Sequence, residues 1–419
     1  VDNQKSNNYK HENKKALIEN FLSLIVLRGF QFLIPLITLP YLVRTIGVEN
    51  FGLVNFALSL GAYFGAIIQF GFGVTATRDI ARNREDKVRL AKVYSTTLCA
   101  SVLLALLSAA VFGLIIVSFP KFRGQLGLYY FCFALIVFQS LFPIWFFQGM
   151  ERMKYIAFLN LGASSVYLLL LVIFVKHESE FMLVPLLHAI AAFASLLSAV
   201  WIIKKNFDIS LVIPSWGEIK LAYSESYHGF VSQFCPNLYN NSAVFLLGIF
   251  AGSHSVGIYA SATKVIDAVI SFAYILSNTF LPYLARNLKK HKPFQVLMLS
   301  SGLVLSALTI FFAEWIVLIL FGSGNKDISV YLQWLAVCIL PAFSIMTYGA
   351  NYLMLVGKDI VVKNVSLYTS LLFFFVALFL IPIFNIWGAI IVLIGARLMM
   401  GVLQFCFFYK YRDLGGSYD

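Results

Sequence analysis

The sequence predicts an all-α membrane protein of twelve transmembrane helices, arranged as two parallel-repeat six-helix lobes around a central cavity. Three observations carry that expectation. The 419 residues are 60% hydrophobic and only 12% charged, against roughly a quarter charged in soluble domains. Twelve apolar runs each approach or exceed the length of about 20 residues needed to cross a hydrocarbon core. Punctuation repeats as well: GVENFGLVNFA at 47–57 is echoed by GSHSVGIYASA at 252–262, matching Gly47 to Gly252 and Gly52 to Gly257 at an offset of 205.

The first lobe is expected over 16–203, with runs at 17–43, 51–74, 94–118, 126–148, 155–175 and 181–203. Before it lies a basic tail, 1–15, read as a disordered cytoplasmic N-terminus. The first run has about 27 residues and no small-residue cleavage site, so it reads as a retained helix rather than a signal peptide. The second closes on Ala81, Arg82 and Asn83, and the fourth on Gln148 and Gly149. A 21-residue cytoplasmic linker, 204–224, is the longest connection.

The second lobe is expected over 225–409, with runs at 225–251, 256–284, 294–320, 329–356, 364–383 and 387–409, followed by a cytoplasmic tail at 410–419. Its second run closes on Ala285, Arg286 and Asn287, echoing the first lobe, and its fourth on Gly357 and Lys358. Six spans per lobe is an even number, so both lobes begin on the same side and the repeat is parallel, about an axis along the membrane normal. Pro35, Pro40, Pro143, Pro185, Pro236, Pro282 and Pro341 fall inside runs, where membrane helices tolerate them as bends.

The net charge of +12 is not a nucleic-acid signature, because its distribution follows the positive-inside rule. With the N-terminus in the cytoplasm, 23 Lys and Arg residues fall in cytoplasmic tails and loops and 5 outside (Arg44, Lys121, Arg123, Lys176 and Lys326). Both termini are thus expected in the cytoplasm, and RDIARNREDKVRLAK at 78–92 reads as a topology signal. The five cysteines lie within runs without Cys-x-x-Cys spacing, so neither a metal site nor a cofactor is expected. No phosphate-binding loop, nucleophile elbow or His-Glu-x-x-His helix is present, which argues against an enzyme.

In hydrocarbon, polar side chains face the protein interior or a water-filled cavity, so their spacing marks the faces that line it. Lys264, Asp267, Ser271, Tyr274 and Asn278 share one face of the eighth run, and Gln233, Asn237 and Asn240 or Asn241 one face of the seventh. The first run offers Arg28, Gln31 and Thr38, and the second Asn55, Ser59 and Gln69. Arg28 lies about 16 Å inside its run at the helical rise of 1.5 Å, where a guanidinium suits either a phosphate or a structural partner such as Asp267. Lys264 and Asp267 either neutralise each other or divide the work, the lysine attracting an anionic head group and the aspartate releasing it or carrying a proton. Arg397 is a further cationic candidate or an interhelical bond, and Glu314, beside Trp315, is a weaker coupling candidate. His188 and His228 read as structural histidines or proton shuttles.

Four passages give a resemblance over nearly the whole chain: PLITLPYLVRTIGVENFGLVNFALSLGAYF at 35–64, FGFGVTATRDIARNREDKVRLAKVYSTTL at 70–98, WFFQGMERMKY at 145–155 and VGIYASATKVIDAVISFAYILSNTFLPYLARN at 256–287. They resemble Wzx-type O-antigen and polysaccharide flippases of the multidrug/oligosaccharidyl-lipid/polysaccharide exporter superfamily. The resemblance implies a MATE-like fold in a bacterial inner membrane. It also implies an undecaprenyl-diphosphate-linked oligosaccharide, commonly an O-antigen repeat unit, moved from the cytoplasmic to the periplasmic leaflet. Membrane lipid, a polysaccharide polymerase and a chain-length regulator are the partners it suggests. Ala243 stands where many relatives carry an acid and Arg28 where glutamine is common, which leaves Asp267 as the acidic candidate in that region.

On this reading the substrate-binding candidates are Arg28, Gln31, Asn55, Gln233, Asn237, Asn240, Lys264, Asn278 and Arg397, and the coupling candidates Asp267 and Glu314. A drug/cation antiporter of the same fold is the transporter alternative, and would favour carboxylates in its cavity. A membrane enzyme of polysaccharide assembly would favour a large outer loop or a His/Asp cluster. Within the repeat, Arg28 corresponds to Gln233 and Ser59 to Lys264, so the cavity chemistry lies where the echo is broken.

Overall fold

A computed structural model describes residues 34, 36–231, 234, 241–288 and 290–412, and they are helical almost throughout. The N-terminal half runs through α1 (Asp2–Gln69, described from Ile34), α2 (Phe72–Arg82), α3 (Lys87–Ser118), α4 (Pro120–Arg123), α5 (Leu126–Leu141), α6 (Ile144–Gly149), α7 (Met153–Phe174) and α8 (Leu183–Phe207). The C-terminal half runs through α9 (Trp216–Phe250), α10 (Gly252–Arg286), α11 (His291–Phe311), α12 (Ala313–Phe321), α13 (Asp327–Ala336), α14 (Ile339–Ile345), a π-helical turn (Met346–Leu353), α15 (Asp359–Phe384) and α16 (Ile386–Tyr411). The expectations for 1–15 and for the end of the C-terminal tail fall outside the described residues.

Among the described residues, ten helical stretches are long and apolar enough to cross a membrane, so this is a multi-pass membrane protein. The first of these, Leu36–Arg82, has 47 residues, too many for one crossing. It is divided at Gly47, whose φ of 77° and ψ of 161° leave the helical region, a conformation that glycine adopts without a Cβ penalty. Gly252 (φ 85°) makes the matching turn between α9 and α10. The two glycines of the sequence echo thus mark the same turn in both halves. Asn241–Phe250 of α9 forms a shorter apolar helix.

Prolines shape the spans unequally. Pro143 ends α5 at Leu141, with Phe142 extended at ψ 123°, and α6 begins at Ile144, because the ring disfavours helical geometry in the residue before it. Pro282 is carried inside α10 without ending it. The expected ninth run is split at Phe312 into α11 and α12. The tenth becomes α13, α14 and the π-helical turn.

A continuous buried core runs from Leu39 and Ile46 through Phe56, Leu247 and Tyr259 to Phe343 and Ala396, joining the two halves. In the first half, Phe112 stacks on Phe133 at 4.4 Å between ring centres, with Phe64 edge-on to both. α9 starts with a capping box, in which the Ser215 hydroxyl accepts from Glu218 N and the Glu218 carboxylate from Ser215 N at 2.9 Å. Such reciprocal bonds satisfy otherwise orphaned amides of the first turn.

Candidate functional site

The contacts between the halves concentrate at the end that carries Gly47, Gly252 and Gly322, the end with few basic residues. There α1 crosses α10 so closely that a Cβ on Gly52 would overlap the carbonyl oxygen of Ser253, and one on Gly257 that of Val48. Small residues permit such backbone approach in membranes, where packing rather than the hydrophobic effect holds helices together. Phe56 stacks on Phe245 at 5.9 Å, over Gly248, which leaves no room for a side chain beneath the ring.

Two cations of the first half cap helix ends of the second. Arg44 donates from Nε to the Leu320 carbonyl at 2.9 Å and from Nη2 to that of Ile319 at the C-terminus of α12. Lys121 donates to the Ile249 carbonyl at the C-terminus of α9, at 2.5 Å. Last-turn carbonyls lack helical partners and carry the negative end of the helix dipole, so cations suit them. Arg44 and Lys121 are two of the five basic residues on the sparsely charged side, and closure of this end accounts for their presence.

At the opposite end, among the described residues, α9 reaches across. Its first turns lie on α2 and α3: Thr75 and Ser226 hydroxyls are 2.6 Å apart, Phe70 stacks on Phe230 at 4.7 Å, and Tyr223 donates to the Ala100 carbonyl at 2.8 Å. Lys92 pairs with Glu218, and Arg78 reaches Asp79 at 3.0 Å and Glu225 at 3.9 Å. Lys92 and the Ser215 amide hold the Glu218 carboxyl below the ordinary glutamate range. The run read as a topology signal also clamps loops, through Arg84 to Glu151 at 2.7 Å and Lys87 to Asp208 at 2.8 Å. Among the described residues, the corresponding ends of α10, α15 and α16 make no hydrogen bond or ion pair to the first half.

Between the closed and the open end lies a cavity of about 450 Å³ walled by both halves. It brings together Asn55 of α1, Lys264 and Asp267 of α10 and Arg397 of α16 from the sequence-derived candidates. Asp267 finds its ion pair on another helix: Arg397 Nη2 donates to its Oδ1 at 3.3 Å. Lys264, one turn earlier on α10, is exposed to the cleft and forms no ion pair among the described residues. The described charges in the cavity wall are therefore two cations and one anion.

Other candidates fall elsewhere. Asn278 is exposed on α10, about 16 Å beyond Asp267 at the helical rise, and is not part of the cavity wall. Its stripe holds in part: Lys264, Asp267, Tyr274 and Asn278 are exposed, but Ser271 is buried with Val265, Ile266, Ile270, Ala273 and Ser277, its hydroxyl donating to the Ala268 carbonyl of its own helix. Glu314 lies in the first turn of α12, in a separate groove with Trp315 and Lys326 at the closed end. Arg28, Gln31, Gln233, Asn237 and Asn240 lie outside the described residues. The reading of polar stripes missed Gln139 of α5 and Thr263 of α10, which also line the cavity. Gln139 had one signal, a lone amide in the apolar run LGLYYFCFALIVFQSL.

The profile of the family described as "Polysaccharide biosynthesis protein" matches residues 17–288, most of the chain. The chain belongs to that family. It is 25% identical over 291 residues, 70% of each chain, to the "Putative O-antigen transporter" of Escherichia coli (strain K12). It is 23% identical over 389 residues, 91% of this chain and 97% of the relative, to the protein of the same description from Shigella dysenteriae. An inward-facing multidrug resistance MATE family transporter of the MOP superfamily shares the fold with a TM-score of 0.63 at 15% identity, covering 92% of this chain and 99% of that one. Lipid II flippase MurJ in an inward closed conformation does so with a TM-score of 0.64 at 12% identity, covering 92% and 87%. An outward-facing MATE transporter superposes less closely, at 0.53 and 16% identity, covering 90% and 96%. The fold of this family member is therefore MATE-like, two helical lobes around a central cavity.

Proposed function

We propose that the protein is an alternating-access flippase for an undecaprenyl-diphosphate-linked oligosaccharide, commonly an O-antigen repeat unit, in a bacterial inner membrane. The observation that carries this reading is the cavity between the lobes, in which Lys264 and Arg397 face one carboxylate, Asp267. Two cations at membrane depth call for an anionic ligand, and a diphosphate offers the bidentate acceptor that a guanidinium matches. A drug/cation antiporter would require the opposite balance.

The cycle begins with the cytoplasmic end open. The diphosphate enters between α2 and α10, exchanges water for Lys264 and Arg397, and leaves the lipid tail in the bilayer between the lobes. Asp267 competes with the diphosphate for Arg397, so protonation or displacement of the carboxylate couples binding to an ion or potential gradient. Rocking of the lobes then parts the Gly52–Gly257 crossing and opens the periplasmic end. The names of the O-antigen transporter relatives and of the MurJ neighbour support this reading.

The decisive experiment reconstitutes the purified chain in vesicles with undecaprenyl-diphosphate-linked oligosaccharide and scores translocation with and without a proton or sodium gradient. Transfer above protein-free vesicles is expected. Its absence under every gradient, with a correctly folded protein, would overturn the proposal.

A further inference from the structure

A second cavity, of about 310 Å³, lies inside the first lobe between α5, α7 and α8. Its walls include the side chains of Gln139, Asn160, Ser164 and His188, with Phe138 and Phe142 as apolar surfaces. Gln139 and His188 also line the central cavity, so the two spaces adjoin through them. The volume sits at the lower end of the roughly 300–1,000 Å³ typical of small-molecule sites.

The polar groups here are unusual for their depth. Asn160 lies seven residues into α7 and His188 five residues into α8, roughly 8–10 Å from the nearer helix ends. At such depth a polar side chain normally bonds to a neighbouring helix, because lipid offers no partner. Gln139, Asn160, Ser164 and His188 make no hydrogen bond to any described residue, whereas Ser195 on the same wall donates to the Leu159 carbonyl at 3.4 Å. His188 is instead held flat against Tyr167, with ring centres 4.3 Å apart, which fixes its ring edge. Two amides, a hydroxyl and an imidazole thus keep their bonding capacity for whatever fills the chamber.

The chamber's charge narrows the occupant. None of its wall residues is Asp, Glu, Lys or Arg, in contrast to the central cavity with Lys264, Asp267 and Arg397. Uncharged donors and acceptors in front of aromatic rings match the hydroxyl and apolar faces of a neutral sugar, while a phosphate would find no cation. We infer that this chamber is the subsite for the sugar residue nearest the diphosphate, read by Gln139, Asn160, Ser164 and His188. The inference rests on the flippase reading and specifies where that substrate is recognised.

The test uses two lipids and the full-length protein in nanodiscs. One lipid is the lipid-linked oligosaccharide that accumulates in the chain's own host when this protein is deleted; the other is undecaprenyl diphosphate, which has no sugar. Asn160→Leu and Gln139→Leu remove donors, and Ala192→Leu keeps every polar group but fills space in the wall. Each variant is expected to bind the oligosaccharide lipid at least tenfold more weakly than the wild type, with binding of undecaprenyl diphosphate unchanged within twofold. Thermal unfolding identifies a variant that has merely lost its fold, and Ala192→Leu then serves in its place.

Equal weakening for both lipids in folded variants, or no weakening for either, would overturn the subsite. So would variants that bind normally while His188→Gln alone alters the pH dependence of transport, which would make the chamber a proton path. Wild-type protein that binds neither lipid would instead sink the flippase reading itself.

Discussion

Gly52 of α1 and Gly257 of α10 face each other where the two lobes cross, and neither has room for a Cβ. The same pair is the second match in the 205-residue sequence echo. Equivalent positions of the two halves thus meet at the crossing that closes this end. A methyl group at either site must push the helices apart, and backbone carbonyls, unlike side chains, cannot rotate away. Gly257→Ala and Gly52→Ala are expected to lower complementation of a flippase-null strain at least tenfold at normal expression. Cysteines placed near the cavity should become more reactive to an impermeant thiol reagent from outside. Unchanged labelling and full complementation would remove the crossing from the mechanism.

Arg44 and Lys121 cap the last turns of α12 and α9. At exposed helix ends each such contact is worth about 0.5–1 kcal/mol. Arg44→Gln and Lys121→Met should therefore each reduce the ratio of outer-closed to outer-open protein by about two- to fivefold. Electron-spin distances between labels on α1 and α12 read this ratio. The double variant should be close to additive, since the two caps lie on different helices.

The Asp267–Arg397 pair joins α10 to α16 inside the cavity. Removing Asp267 leaves the mostly buried Arg397 guanidinium uncompensated, a larger insult than removing both. Asp267→Asn and Arg397→Gln should each reduce transport by tenfold or more, while the double variant retains more stability than Asp267→Asn with Arg397 intact. Lys264→Ala should weaken substrate binding without loosening the pair. A double-mutant cycle on thermal stability, run beside the transport assay, separates the structural from the binding contribution.

The strap formed by the first turns of α9 is expected to respond to acid. Glu218 has a depressed carboxyl pKa through Lys92 and the Ser215 amide, so its contribution is fully present above the ordinary glutamate value of about 4.3. It is lost as pH falls through the depressed value. Hydrogen exchange in 216–226 should accelerate over that window, and Glu218→Gln should exchange at the faster rate at neutral pH. A neutral-pH rate unchanged by that substitution would remove Glu218 as the anchor.

Much of the architecture was legible in the chain because a bilayer imposes length and polarity rules that a soluble fold lacks. Apolar runs had to be helices, whereas Pro143, expected as a tolerated bend, ends α5 at Leu141. Even the face of α10 bearing Lys264, Asp267 and Asn278 could be read from spacing of three and four, since one helix decides which of its own residues align. Asn55, Lys264, Asp267 and Arg397 did reach one cavity.

What the chain could not specify is which helices approach which. Lys264 and Asp267 sit three residues apart, so local spacing proposed a pair, whereas α16 delivers Arg397 from 130 positions away. Gln139, Asn160 and His188 lie on three helices with no shared period, and only packing of α5, α7 and α8 makes them one wall. The basic run at 78–92 read as a topology signal, and the fold adds a clamp on Glu151, Asp208 and Glu218. By itself the sequence determined the helices, their polar faces and the glycines at equivalent turns, all consequences of local geometry in an apolar solvent. The tertiary structure decided the ion pairs, the closed end at the Gly52–Gly257 crossing and the neutral side chamber, because each depends on atoms from distant segments meeting where lipid offers no substitute partner.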